Sequence, residues 1–152
     1  MLGLIGEYEV SMDSKFRVAL PAGLRKQLPE GEHNVFYVNR SLDQQCINLY
    51  TQSEWTKIIT QLSSLSTFNP KVDKLKRLMM AGSAKLELDS ASRILIPKSL
   101  AENIGLSKDL VIVCQINKVE IWGKAQYYKY LEENSGDLAD LANELFGNDL
   151  GI

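Results

Sequence analysis

Two short stretches carry the side chains best suited to chemistry. Asp13 and Arg17 stand four residues apart in Met12-Asp13-Ser14-Lys15-Phe16-Arg17, and Asp89 and Arg93 repeat that spacing in Leu88-Asp89-Ser90-Ala91-Ser92-Arg93. Two such carboxylates could in principle form an acid–base pair. An adjacent guanidinium, however, stabilises the ionised carboxylate and lowers its pKa, the opposite of what a general acid needs. The single histidine, His33, lies in the turn-like run Pro29 to Asn34 and reads as a surface residue. Cys46 and Cys114 lack a Cys-x-x-Cys spacing and read as buried structural thiols. With no Gly-rich phosphate loop and no metal-ligand spacing, the expectation is no enzyme, no cofactor, no metal and no small-molecule substrate. An arginine in an exposed turn is suited instead to recognition, since its planar fork matches a phosphate or the paired acceptors of guanine.

These stretches belong to an internal repeat. Met12 to Leu24 (MDSKFRVALPAGL) matches Leu88 to Leu100 (LDSASRILIPKSL) at a constant offset of 76, pairing Asp13 with Asp89, Arg17 with Arg93, and Pro21 with Pro97. The same offset pairs Gly6 with Gly82 and sets Val35 to Val38 against Val111 to Cys114. Further on it falls to 72, setting Leu49-Tyr50 against Ile121-Trp122, as if four loop residues near Arg40 to Gln45 were missing from the second copy. Two copies favour a pseudo-twofold pair over a stacked array.

In each copy a half-buried strand (Tyr8 to Met12; Lys85 to Leu88) runs into an Asp-Ser turn, implying a hairpin with the strand that follows (Phe16 to Leu20; Ile94 to Ile96). Pro21 and Pro97 then open short helices that turn Leu24 and Leu28, or Leu100 and Ile104, inward. The apolar runs Val35 to Val38 and Leu110 to Cys114 suit strands buried on both faces, and Ile47 to Tyr50 and Val119 to Trp122 complete each unit. Amphipathic helices follow, one around Trp55 with Ser53 as N-cap and one around Tyr127 and Tyr130. Asn69-Pro70 starts a helix with Val72, Leu75, Leu78 and Met79 on its apolar face. A last helix, Asp137 to Phe146, is capped by Gly147, and its acidic polar face suits packing or subunit contact. The segments expected are thus 5–52 (first repeat), 53–80 (helical connection), 81–124 (second repeat) and 125–152 (C-terminal helices).

The net charge of −2 argues at first against a nucleic-acid partner. Its distribution reverses this: Glu132, Glu133, Asp137, Asp140, Glu144 and Asp149, all beyond the last basic residue Lys129, contribute −6 and leave +4 on residues 1–131. Lys15, Arg17, Arg25 and Lys26 against Asp13 give the first turn and helix +3, whereas Arg93 and Lys98 are balanced by Asp89 and Glu102. The first copy is therefore expected to dominate any DNA contact, with the second mostly completing the fold. No apolar run approaches the roughly 20 residues of a membrane span, and Met1 to Ile5 has no charged secretory n-region, so a cytoplasmic address is expected.

The duplicated Asp-x-x-x-Arg followed by an apolar strand and Pro, with Gly6-Glu7-Tyr8, Ala81-Gly82-Ser83 and Glu144-Leu145-Phe146-Gly147, resembles the MraZ family. The resemblance implies two SpoVT/AbrB-type units in one chain, mainly β with short α-helices (α+β), interleaved as a pseudo-twofold swapped-hairpin β-barrel with flanking helices. It also implies a ring-like homo-oligomer, nucleoid-associated, binding double-stranded DNA at repeated promoter elements and repressing the division and cell-wall gene cluster that includes its own operon. Carried over residue by residue, the turns Asp13 to Arg17 and Asp89 to Arg93 would face DNA; Arg17 and Arg93 are then the contacts, Lys15, Arg25 and Lys26 join them on the charge of the first turn and helix, and Asp13 and Asp89 structure the turns. The family often has Gly before the Arg, supplying a positive φ; Phe16 and Ser92 stand there in this chain, so a different turn is expected. AbrB-type units also serve as antitoxins, which is the alternative reading.

Overall fold

The computed structural model describes residues 2–147, so the end of the last expected segment, 148–152, lies outside the described residues. The chain is mixed α+β. In order come β1 (Glu7–Ser11), β2 (Arg17–Ala19), α1 (Ala22–Arg25), β3 (Val35–Arg40), β4 (Ile47–Thr51), α2 (Gln52–Ser63), α3 (Pro70–Met80), β5 (Ala84–Glu87), β6 (Arg93–Leu95), α4 (Lys98–Ile104), β7 (Asp109–Gln115), β8 (Lys118–Gly123), α5 (Lys124–Asn134) and α6 (Leu138–Phe146), the last two joined by a 3-10 turn.

The strands form a six-stranded antiparallel sheet in the order β1-β7-β8-β4-β3-β5 and a separate two-stranded ribbon, β2-β6. No closed barrel results, because β1 and β5 end the large sheet on opposite sides instead of meeting. The expected hairpin within each repeat is reduced to its closing turn, the Asp13 N–H bonding the Arg17 carbonyl and the Asp89 N–H the Arg93 carbonyl; β1 and β2 share only the bridge Met12–Val18, and β1 pairs along its length with β7. Only β3–β4 and β7–β8 pair within a repeat; β1–β7, β2–β6, β3–β5 and β4–β8 all cross between repeats. Val18 lies opposite its own repeat mate Ile94, and Asn48 opposite Glu120, so a pseudo-twofold axis passes through both pairs.

The register also corrects the repeat alignment. Phe36 pairs with Leu86 as Leu110 pairs with Val10, which makes Leu110 the mate of Phe36 at an offset of 74. Two residues are thus lost in the loop before β7 and two more in the β7–β8 hairpin, rather than four at one place. Both deletions fall where the chain leaves the sheet, so neither disturbs a strand.

The main apolar core draws on both copies, including Val18, Leu20, Leu24, Phe36 and Val38 from one and Leu86, Ile94, Ile96, Leu100 and Ile112 from the other, and a smaller cluster gathers Cys46, Val111, Trp122 and Tyr127. β4 is buried along its whole length, whereas Val35 and Tyr37 of β3 are only half-buried, so β3 alternates where two-sided burial was expected. The helix around Trp55 begins one residue before the expected cap. Thr51 Oγ1 accepts the Glu54 N–H at 3.4 Å, and Ser53, instead of capping, gives its N–H to Glu32 Oε1 at 2.8 Å. Trp55 stacks on Tyr37 with ring centroids 5.5 Å apart, and Trp122 meets Tyr127 edge-on at 5.6 Å, so each repeat clamps its following helix by an aromatic pair. Asn69 caps α3 and Gly147, at φ 59, ends α6.

Candidate nucleic-acid interface

Each Asp-x-x-x-Arg turn is closed by its own aspartate. Asp13 Oδ1 accepts the backbone N–H groups of Lys15 and Arg17, both at 2.9 Å, while Oδ2 takes the Arg17 Nε at 2.7 Å. Asp89 repeats this with the N–H groups of Ala91 and Arg93 at 2.9 Å and the Arg93 Nε at 2.8 Å. The Arg17 and Arg93 backbone N–H bonds, outweighing desolvation, together with the guanidinium and the remaining turn N–H hold both carboxyls below the usual carboxylate range. Phe16 and Ser92 sit at φ 63 and φ 59. The left-handed turn is therefore formed without glycine, correcting the expectation of a different one: the bonds converging on each aspartate hold a conformation that costs an L-residue about 1 kcal/mol or more.

The ribbon β2–β6 sets these turns side by side. Arg17 lies opposite Leu95, Val18 opposite Ile94, and Ala19 opposite Arg93. Because side chains alternate along a strand, Val18 and Ile94, both fully buried, occupy the inner face, and Arg17, Ala19, Arg93 and Leu95 share the outer one. Arg93 Nη1 comes within 4.0 Å of Asp13 Oδ2, linking the two turns. Each arginine spends its Nε on its own aspartate and keeps a third of its side chain exposed.

The remaining candidates differ in setting. Lys15 is exposed on the first turn and Lys26 at the end of α1. Arg25 is half-buried and gives its Nε to the Leu20 carbonyl at 3.1 Å, while the Leu20 N–H bonds the Ser92 carbonyl, so Arg25 is tied to the end of the ribbon next to the second turn. Lys98 lies 3.7 Å from Glu102. Sequence reasoning missed Leu95, exposed among the arginines, because its outward direction follows only once β6 is known to pair with β2.

Burial pushes the Cys46 thiol up to about 12, and Cys114, raised for the same reason, is half-buried rather than buried. His33 is half-buried rather than fully on the surface. Among the described residues no three His, Cys, Asp or Glu side chains cluster to hold a metal, and no helix is long and apolar enough to cross a membrane.

Comparison with known proteins decides the family. The model of the MraZ protein family, described as antitoxin-like, matches twice, over residues 4–78 and 79–149. The chain belongs to the MraZ family. Among its relatives, the transcriptional regulator MraZ of Christiangramia forsetii is 40% identical over 149 residues, covering 98% of this chain and 96% of the relative. That of Flavobacterium psychrophilum is 39% identical over 145 residues, covering 95% and 92%. The MraZ of Proteus mirabilis is 34% identical over 125 residues, covering 82% of each chain. The two matched stretches of this MraZ chain meet near the end of α3, each holding one Asp-x-x-x-Arg turn.

Proposed function

We propose that this chain is a sequence-specific DNA-binding transcriptional regulator that meets duplex DNA with the outer face of the β2–β6 ribbon and its two flanking turns. The observation that carries this is the exposure of Arg17 and Arg93 on one face, fixed by the burial of Val18 and Ile94 behind them. With Nε held by aspartate, each guanidinium has its terminal nitrogens in a set orientation, the preorganisation needed to reach a guanine edge or a phosphate. Lys15 contributes a phosphate contact, positioning without specifying, and Lys26 adds to the field. Arg25 serves mainly by bracing Leu20. The juxtaposed turns favour a contribution from both copies, with the first the stronger because of Lys15. Asp13 and Asp89 structure the turns and do not touch phosphate, which would repel a bare carboxylate.

So few basic residues per chain imply weak binding by a monomer. A ring-like homo-oligomer that lays identical ribbons on repeated promoter elements gains effective concentration, raising avidity by roughly 10²–10⁴. The relatives' name, transcriptional regulator, supports action on promoters. We place the chain in the cytoplasm at the nucleoid, without catalytic activity, repressing the division and cell-wall gene cluster that includes its own operon.

The test is a titration of the protein, at several salt concentrations, against the DNA upstream of its own gene and a scrambled control, with Arg17→Ala and Arg93→Ala in parallel. Preference for the upstream DNA, a steep salt dependence, and a loss of roughly tenfold or more on Arg17→Ala with a smaller loss on Arg93→Ala are expected. Equal affinity for both DNAs at every salt concentration would overturn the proposal. An Arg93→Ala variant that binds like the unaltered protein would restrict the contact to the first turn.

A further inference from the structure

Two helices expose apolar stripes that the fold leaves without a partner. On α6, Leu138, Leu141 and Leu145 follow the i, i+3, i+7 spacing of one helix face; none of its residues is buried, and Leu138 and Leu145 are each 73% exposed. Asp137, Asp140 and Glu144 line one flank of that stripe. On α3 only Val72 is buried, while Leu75 and Leu78 face outward, so the single inward face expected for this helix is split. Together with Met79 and with Leu42, exposed on the β3–β4 loop, they line a groove of about 250 Å³ bordered by Arg40.

The rims of these two surfaces are opposite in charge. Lys71 and Lys74 share the i, i+3, i+4, i+7 stripe of Leu75 and Leu78, and neither forms an ion pair among the described residues. The acids of α6 are likewise free of basic partners among the described residues. An apolar stripe with an acidic flank matches an apolar groove with a basic flank, and α6, at about 1.5 Å per residue, is of comparable length to α3. Because α6 does not occupy its own chain's groove, each copy offers both halves of one contact.

We propose that α6 of one copy docks into the groove between α3 and the β3–β4 loop of a second copy. The contact joins two different patches, so it is heterologous, and successive copies add head to tail until the rotation closes a ring. It rests on the homo-oligomer reading above and supplies its interface.

The experiment is sedimentation velocity on the full chain and on two charge-reversed forms, one carrying Asp140→Lys with Glu144→Lys and the other Lys71→Glu with Lys74→Glu. All four positions are exposed, and unchanged thermal melts establish that both forms fold. Unaltered protein sedimenting as an assembly, each form alone associating at least tenfold more weakly, and a 1:1 mixture regaining assembly are expected. In the mixture the reversed helix of one form meets the reversed groove of the other, a rescue that docking within one chain could not reproduce. Two forms that keep the original size would put the interface elsewhere and leave the oligomer reading standing. A mixture that stays dissociated would overturn the pairing of these faces, and unaltered protein sedimenting as a single chain would overturn both readings.

Discussion

Ser92 and Phe16 hold the same left-handed backbone position in the two turns, but their side chains face different demands. Phe16 packs against the main core, so glycine there would relieve φ 63 while removing a partly buried ring. Ser92, at φ 59, has no such packing role, and its backbone alone meets the Asp89 and Leu20 backbone groups. Ser92→Gly is therefore expected to stabilise the chain by up to about 1 kcal/mol, the relief of a left-handed L-residue less the extra chain entropy of glycine. A rise of roughly 2–4 °C in Tm would show it, whereas Phe16→Gly should lower Tm; a fall on Ser92→Gly would mean the turn is not strained. The aspartate and arginine of each turn were legible in the sequence because their spacing is local. The conformation between them was not, since a missing glycine says nothing about whether surrounding bonds can hold a strained residue in place.

At the scale of elements, what the sequence displays is periodicity, and what it hides is the partner. Alternation at Tyr8 to Met12 and the prolines before α1 and α4 located strands and helices within a residue or two. The amphipathic stripes of α3 and α6 were equally plain, yet an apolar stripe does not say whether it faces the core or solvent, and here both are largely exposed. The start of α2 was less legible, because Thr51 at the end of β4 and Ser53 two residues on are both competent caps, and only the structure shows Thr51 in that role. Thr51→Ala should cost about 0.5–1 kcal/mol, toward the low end for caps because the 3.4 Å bond is long. Ser53→Ala keeps the Ser53 N–H bond to Glu32 and removes only the solvent-exposed bond that the Ser53 hydroxyl donates to the same carboxylate oxygen, so it should cost less. Denaturant midpoints of the two variants decide it, and a larger loss at Ser53 would transfer the capping role to the Ser53–Glu32 contact.

For the whole molecule, the reciprocal exchange of strands means that neither repeat owns its structure. The sequence announced two copies of one unit, and two independent domains would have satisfied the repeat as well. Only the long-range pairings reveal that β1 rests on β7, β5 on β3, β2 on β6 and β4 on β8. Splitting the chain between α3 and β5 would strip each half of all four pairings and open the core on both sides. Val18 and Ile94, which meet on the pseudo-twofold axis, would each lose their opposite number, at about 1.5–3 kcal/mol for every such side chain returned to water. Against a total stability of about 5–15 kcal/mol for a folded domain, a few such losses are decisive. Residues 1–80 and 81–152 made separately should therefore show no cooperative thermal transition as monomers, and mixing them should restore one. A half-chain that melts cooperatively while sedimenting as a monomer would show that each repeat folds alone and that the exchange is secondary; recovery only on mixing would establish the two repeats as one folding unit.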